Sequence, residues 1–318
     1  MKNLNMVFKP LFLVLASFIF LSGCATNDVI NYYRFVRNMK QGNYDRAIAN
    51  IDRAIQADPN DTWLYKLRGL MYLAQEDSDR AIADFNEAIR LDQNDADAYK
   101  LRGAVYVAQD DFEYAIADFN KAIQLDPNNV DAYGVRGALY SEQGDSDRAI
   151  ADFNDAIRLD PNRADIYINR GSVYSEQGDS DRAIADFNEA IRLDPKDATA
   201  YGHRGLAFFN QGDYERAIAD YSEAIRLDPD YAGSYKSRGH AFFRISDFDS
   251  AITDLTHVIR LDPNDVHVYG HRGTAFFNQG NYEKAISDFE SALRIEPDNT
   301  TAKEWLDHTR QFLAITPE

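Results

Sequence analysis

The stretch AYGVRGALYSEQGDSDRAIADFNDAIRLDPN, Ala132 to Asn162, holds two apolar faces of helical spacing separated by a polar break. Tyr133, Gly137 and Tyr140 fall at i, i+4 and i+7, and Ala149, Phe153, Ala156 and Ile157 mark a second face. Between them, Gly144 suits the left-handed conformation that ends a helix, and Asp145 suits the cap of the next. Pro161 closes the second run, because proline lacks an N–H and drives the residue before it out of the α region. The stretch predicts a helical hairpin.

The same pattern extends in both directions. Asp-Pro or Glu-Pro recurs from Asp58-Pro59 to Glu296-Pro297 with a period of 34 residues, with Asp92-Gln93 at one expected place. Taking Pro59 as position 32 gives eight units over residues 28–61, 62–95, 96–129, 130–163, 164–197, 198–231, 232–265 and 266–299. Asn or Asp fills the second capping place in every unit, from Asn43 to Asn281. After the last proline, Ala302, Trp305, Leu306, Thr309, Phe312 and Leu313 lie at amphipathic spacing, which predicts a capping helix and tail over residues 300–318.

With its period, its small residues and its aromatics, the sequence resembles the tetratricopeptide repeat. The resemblance implies an all-α fold, a right-handed superhelical α-solenoid of helix-turn-helix units. It also explains the glycines from Gly69 to Gly273, which let the helices of a unit approach. Ala81, Ala115 and their successors are the expected residues across from them. In the first unit Phe35 replaces that glycine, and it is expected to lie over the open end as a lid.

The N-terminus carries a different signal. Lys2 and Lys9 precede an apolar run, Leu11 to Leu21, and then Ser22-Gly23-Cys24. Eleven residues rising about 1.5 Å each fall short of a bilayer core of roughly 30 Å. Residues 1–23 therefore read as a signal peptide. Leu21-Ser22-Gly23-Cys24 resembles the lipobox of bacterial lipoproteins, which implies acyl chains on Cys24, residues 24–27 as a short tether, and a bilayer anchor. Ala25 stands where inner-membrane retention calls for Asp, so the resemblance implies the outer membrane, facing the periplasm. Cys24 is the only cysteine, so no intramolecular disulfide exists.

A net charge of −18 disfavours nucleic acid and anionic lipid as partners. The sequence has no nucleophile elbow, phosphate loop or dinucleotide motif, and its acids repeat with the scaffold. The expectation is a protein without enzyme activity, cofactor or small-molecule substrate. Arginine holds position 7 of every unit, Arg34 to Arg272, and aspartate recurs in step from Asp84 to Asp288. Matched periodicity favours structural pairs over an anion-binding ladder.

Binding residues are expected where units differ. In the resembling family the concave wall comes mainly from positions 2, 5, 6, 9, 12 and 13 of the first helix. Position 12 becomes Phe209, Phe243 and Phe277 in the last three units, within AFFNQG, AFFRIS and AFFNQG. The first Phe of each pair reads as core and the second as an exposed groove floor. Lys236, His240, Arg244, His267 and His271 form a local basic group beside it. Peptide-binding members of the family can hold a C-terminal carboxylate with Lys, Asn and Arg at such positions. Here Leu70, Ala104 and His240 stand beside Lys66, Lys100 and Lys236 in place of Asn, so a looser anion contact is expected, stronger when the histidines are protonated. His267 and His271 have i, i+4 spacing, but HVYGH lacks the Glu of H-E-x-x-H, and no metal is expected.

The sequence thus supports a membrane-anchored interaction scaffold that holds a peptide or helix of an envelope partner. A structural, pilotin-like assembly lipoprotein, acting by self-association or through its convex surface, is the alternative.

Overall fold

The computed structural model describes residues 44–315, which divide into two compact units between Asp145 and Ser146. The expected signal peptide, Cys24, the tether, Arg34 and Phe35 lie outside the described residues. Among the described residues every element is a helix, and none is long and apolar enough to cross a membrane. The architecture is an all-α solenoid of paired helices.

The first unit contains α1 (Tyr44–Ala57), α2 (Thr62–Ala74), α3 (Ser78–Leu91), α4 (Ala96–Ala108), α5 (Phe112–Leu125) and α6 (Val130–Glu142). The second contains α7 (Ser146–Leu159), α8 (Ala164–Glu176), α9 (Ser180–Leu193), α10 (Ala198–Asn210) and α11 (Tyr214–Leu227). It continues through α12 (Ala232–Arg244), α13 (Phe248–Leu261), α14 (Val266–Asn278), α15 (Tyr282–Ile295) and α16 (Thr300–Ile315). Within each unit, each helix packs on its neighbours in the chain.

Local chemistry sets the helix ends. Asp77, Asp179, Asp213, Asp247 and Asn281 accept a backbone N–H at the start of their second helices, whereas Asp111 at the same place makes no such bond. Asp61, Asp95, Asp197 and Asp265 cap first helices in the same way. Between the helices of a pair the chain passes through positive φ, with Gly144, Gly178, Gly212 and Gly280 at 76° to 80°. Glu76, Asp110 and Ser246 adopt the same turn at 61° to 63°, where a side chain is strained.

The core is a series of aromatic plugs. Phe85, Phe119, Phe187 and Phe289 are fully buried, and Tyr221 and Leu255 take the same place in their units. Gly69, Gly103, Gly171, Gly205, Gly239 and Gly273 of the first helices face these plugs rather than an alanine, which corrects the expected pairing. A Cβ on Gly69 would stand 2.7 Å from the Phe85 ring, and one on Gly171 would stand 2.8 Å from Phe187. The alanines Ala81, Ala115, Ala183 and Ala217 are buried as well, but they sit one turn before the plug.

The final helix, α16, covers the last pair. Ala302, Leu306 and Thr309 are buried, while Phe312 and Leu313, expected on the same face, stay 40% and 36% exposed. Phe312 packs on Tyr282 at the start of α15, 5.3 Å between ring centroids, and keeps its other side open.

Candidate functional site

In the second unit, first helices touch one another as well as their hairpin partners: α8 meets α10, α10 meets α12, and α14 meets α16. They form the inner wall of that unit. Their faces carry the residues singled out from the sequence.

Phe209, Phe243 and Phe277 end α10, α12 and α14. All three are half-buried rather than bare. Each ring meets edge-on the aromatic that opens the following helix: Tyr214 at 5.3 Å, Phe248 at 5.4 Å and Tyr282 at 5.4 Å between centroids. Phe277 is further enclosed by Trp305, His308 and Phe312 of α16, at 5.6, 5.2 and 5.7 Å. The expected three-residue floor is therefore two residues plus a capped third. The preceding phenylalanines differ too: Phe208 is buried as expected, but Phe242 and Phe276 are half-buried.

The basic group divides into engaged and open members. Lys236 reaches Asp265, the cap of α14, at 2.8 Å. Burial raises the Asp265 carboxyl, but the Lys236 ammonium and the N–H groups of Val268 and His267 outweigh it and hold the carboxyl below its ordinary range. Lys66 grips Asp95 at 2.6 Å in the equivalent way, so these lysines join repeats. Arg244 is exposed and has no acidic partner among the described residues. Its guanidinium lies 4.8 Å from the Tyr214 ring and 5.9 Å from Phe209. Arg244 is thus a cation held over an aromatic pair by cation–π attraction.

His240 Nε2 and His271 Nδ1 form a hydrogen bond of 2.6 Å, with ring planes at 88°. One ring donates and the other accepts. Desolvation by the packed helices is the first cause lowering both histidines, with His271 and Lys236 adding to it at His240, which is pushed down to about 4, while the His271 side chain still faces solvent. The two rings are bonded to each other, so an anion contact through them competes with that bond. His267 is exposed, and only its backbone N–H is engaged, by Asp265. Among the described residues no group of three or more His, Cys, Asp or Glu is placed to hold a metal ion.

The periodic arginines are scaffold. Arg204 Nε and Nη2 hold Asp220 at 2.8 and 2.7 Å, and Arg68, Arg102, Arg170, Arg238 and Arg272 repeat this fork with Asp84, Asp118, Asp186, Asp254 and Asp288. The remaining nitrogen reaches back one repeat, to Asn188 from Arg204 and to Asn120 from Arg136. That third partner was missed in the sequence, although Asp52, Asn86, Asn120, Asn154 and Asn188 stand 16 residues before Arg68, Arg102, Arg136, Arg170 and Arg204, and Ser222 and Thr256 stand 16 before Arg238 and Arg272. The periodicity of a small polar residue there was the available signal.

Models described as "Tetratricopeptide repeat" match residues 37–96, 168–232, 96–129, 267–299 and 119–151, and one described as "TPR repeat" matches 137–178. No match was found among curated proteins. Similar solved structures include the APC/C hetero-tetramer Cut9-Hcn1, at 20% identity and TM-score 0.59, covering 84% of this chain and 52% of that one. The chain thus spans about half the length of that relative. YrrB, described as a TPR protein with an unusual peptide-binding site, aligns at 22% identity and TM-score 0.52 over 58% of this chain and 96% of its own. PilW, described as a widely conserved type IV pilus biogenesis factor, aligns at 18% and 0.60 over 66% and 98%. At these identities the likeness establishes the fold.

Proposed function

The chain belongs to the tetratricopeptide-repeat family, a scaffold suited to protein–protein interaction, and we propose that it is a lipid-anchored adaptor of a bacterial envelope. The anchor is Cys24, read from the lipobox-like Leu21-Ser22-Gly23-Cys24, and the location is the outer membrane facing the periplasm. Its partner is an extended peptide or a helix of another envelope protein, held on the inner wall of α10, α12 and α14.

One observation carries this reading. In a chain of net charge −18, the exposed cation Arg244 stands over Phe209 and Tyr214 without an acidic partner among the described residues, and Phe243 lies beside it. Half-buried aromatics next to an unpaired cation give a partner both apolar area and a direction. The segment that fits has an apolar side chain for the Phe209–Phe243 strip and a carboxylate for Arg244.

A pull-down from detergent-solubilised host membranes, with the wild-type chain and a Phe243→Ala/Arg244→Glu variant as parallel baits, tests it. A partner captured by the wild type and lost by a variant of unchanged helicity supports the site. Equal capture by both sinks it. Self-association is a second reading, favoured by exposed Phe312 and Leu313 at the end of α16. A mass in light scattering that rises with concentration, and ceases to with Phe312→Ser/Leu313→Ser, would establish that reading instead.

A further inference from the structure

The His240–His271 bond joins position 9 of one repeat to position 6 of the next, across the seam between α12 and α14. The residues at the same two positions of the other junctions in this unit are Ser172 with His203 and Leu206 with Ser237. Only the last full junction places two titratable groups there.

A hydrogen bond between imidazoles needs one N–H and one lone pair. A first added proton can sit on the far nitrogen of the donor ring and leave the bridge intact. A second puts N–H against N–H, at a separation that is 2.6 Å in the bonded state, and adds a like charge. The two rings therefore titrate as a coupled pair, and the bond is lost only with the second proton.

The surrounding charges make that second proton costly. Lys236, one turn before His240, acts against protonation of both rings, His267 acts against that of His271, and Asp265 alone favours it while being already bound to Lys236. On the other helices packed around the seam, nearby ionisable groups are engaged elsewhere. His203 of α10 stacks on Phe187, Asp254 of α13 and Asp288 of α15 hold Arg238 and Arg272, and His308 of α16 lies against Phe277.

We propose that the His240–His271 contact is an acid-released latch: it closes the inner seam between the last two full repeats while the pair shares its bridging proton, and it lets the seam open when both rings are charged. The latch goes beyond the adaptor reading and needs no partner to operate. Its consequence is a change in the spacing of Phe243 and Phe277, which flank the seam on α12 and α14.

The sign follows from linkage. A histidine held below its ordinary value binds fewer protons folded than unfolded, so its contribution to stability is complete above the ordinary value of 6.5 and is lost as pH falls from there toward about 4. The seam should loosen in that interval.

The test is a titration of the full chain labelled with 15N at its histidines, followed by long-range 1H–15N spectra, with resonances assigned by His240→Gln and His271→Gln. The expected result is that His240 and His271, of six histidines in all, titrate below the ordinary histidine value and show opposite protonation of their facing nitrogens. Amide hydrogen exchange, corrected for the intrinsic effect of pH, supplies the second readout. Exchange in α14 should quicken by about tenfold, the equivalent of one pKa unit, between neutral pH and the acid end of the interval. In His271→Gln, which bonds without a second imidazolium, that acid-linked excess should vanish. Ordinary titration of both wild-type histidines overturns the proposal without reference to any variant. So does an acid-linked loosening of α14 that persists undiminished in His271→Gln.

Discussion

Arg204 holds both carboxylate oxygens of Asp220, through Nε at 2.8 Å and Nη2 at 2.7 Å, while Asp220 is almost fully buried. The fork satisfies the carboxylate completely, and the third nitrogen bonds Asn188 of the preceding repeat. One side chain thereby ties a hairpin together and joins it to its neighbour.

Removing Arg204 alone strands a buried charge. Arg204→Met should destabilise by about 3–5 kcal/mol, whereas Arg204→Met combined with Asp220→Leu should cost less than the single change, because no unpaired charge remains. Urea midpoints of the three proteins check this. A double variant weaker than Arg204→Met would contradict it.

The glycines of the first helices fall into three grades of space, and alanine should read them out. A Cβ at Gly205 would lie 2.9 Å from the Tyr221 ring, one at Gly239 would lie 3.3 Å from Leu255, and one at Gly202 meets nothing within 4 Å. Gly205→Ala should cost about 1–3 kcal/mol through overpacking. Gly202→Ala should gain roughly 0.5–1 kcal/mol from helix propensity alone, and Gly239→Ala should fall between them. Thermal or urea unfolding gives the order, and a loss at Gly202 would break the argument.

The left-handed turns offer a gain of the opposite kind. Glu76 and Ser246 hold φ at 63°, where their glycine counterparts pay no steric cost. Glu76→Gly and Ser246→Gly should each stabilise by about 1 kcal/mol, and Gly212→Ala should lose a similar amount. An unchanged midpoint in all three would show that the turn stores no strain.

These contrasts also mark what a sequence can and cannot disclose about this chain. The 34-residue period, the capping acids and the prolines set the helix pairs because each signal acts within a few residues of its effect. The Arg–Asp fork was legible from matched periodicity. The glycine's true partner was not, since deciding between Ala81 and Phe85 requires knowing how two helices cross. Nor was the bond from His240 to His271, which lie 31 residues apart on helices of different repeats. The pairing of Lys236 is hidden in the sequence for the same reason: the acid that neutralises it belongs to the next repeat.

The two phenylalanines Phe243 and Phe277 occupy the same repeat position and should nonetheless respond differently to truncation. Phe243 meets one ring, Phe248, whereas Phe277 meets Tyr282 together with Trp305, His308 and Phe312 of α16. Phe277→Ala should therefore remove much of what holds the end of α16, costing about 3–5 kcal/mol as a core truncation does. Phe243→Ala, half-buried against one neighbour, should cost less. Hydrogen exchange resolves the two, because loss of the Phe277 ring should deprotect α16 selectively and loss of the Phe243 ring should leave α16 as protected as in the wild type. If both variants deprotect α16 alike, Phe277 is not the anchor of that helix, and the third position of the floor would be open to a partner after all.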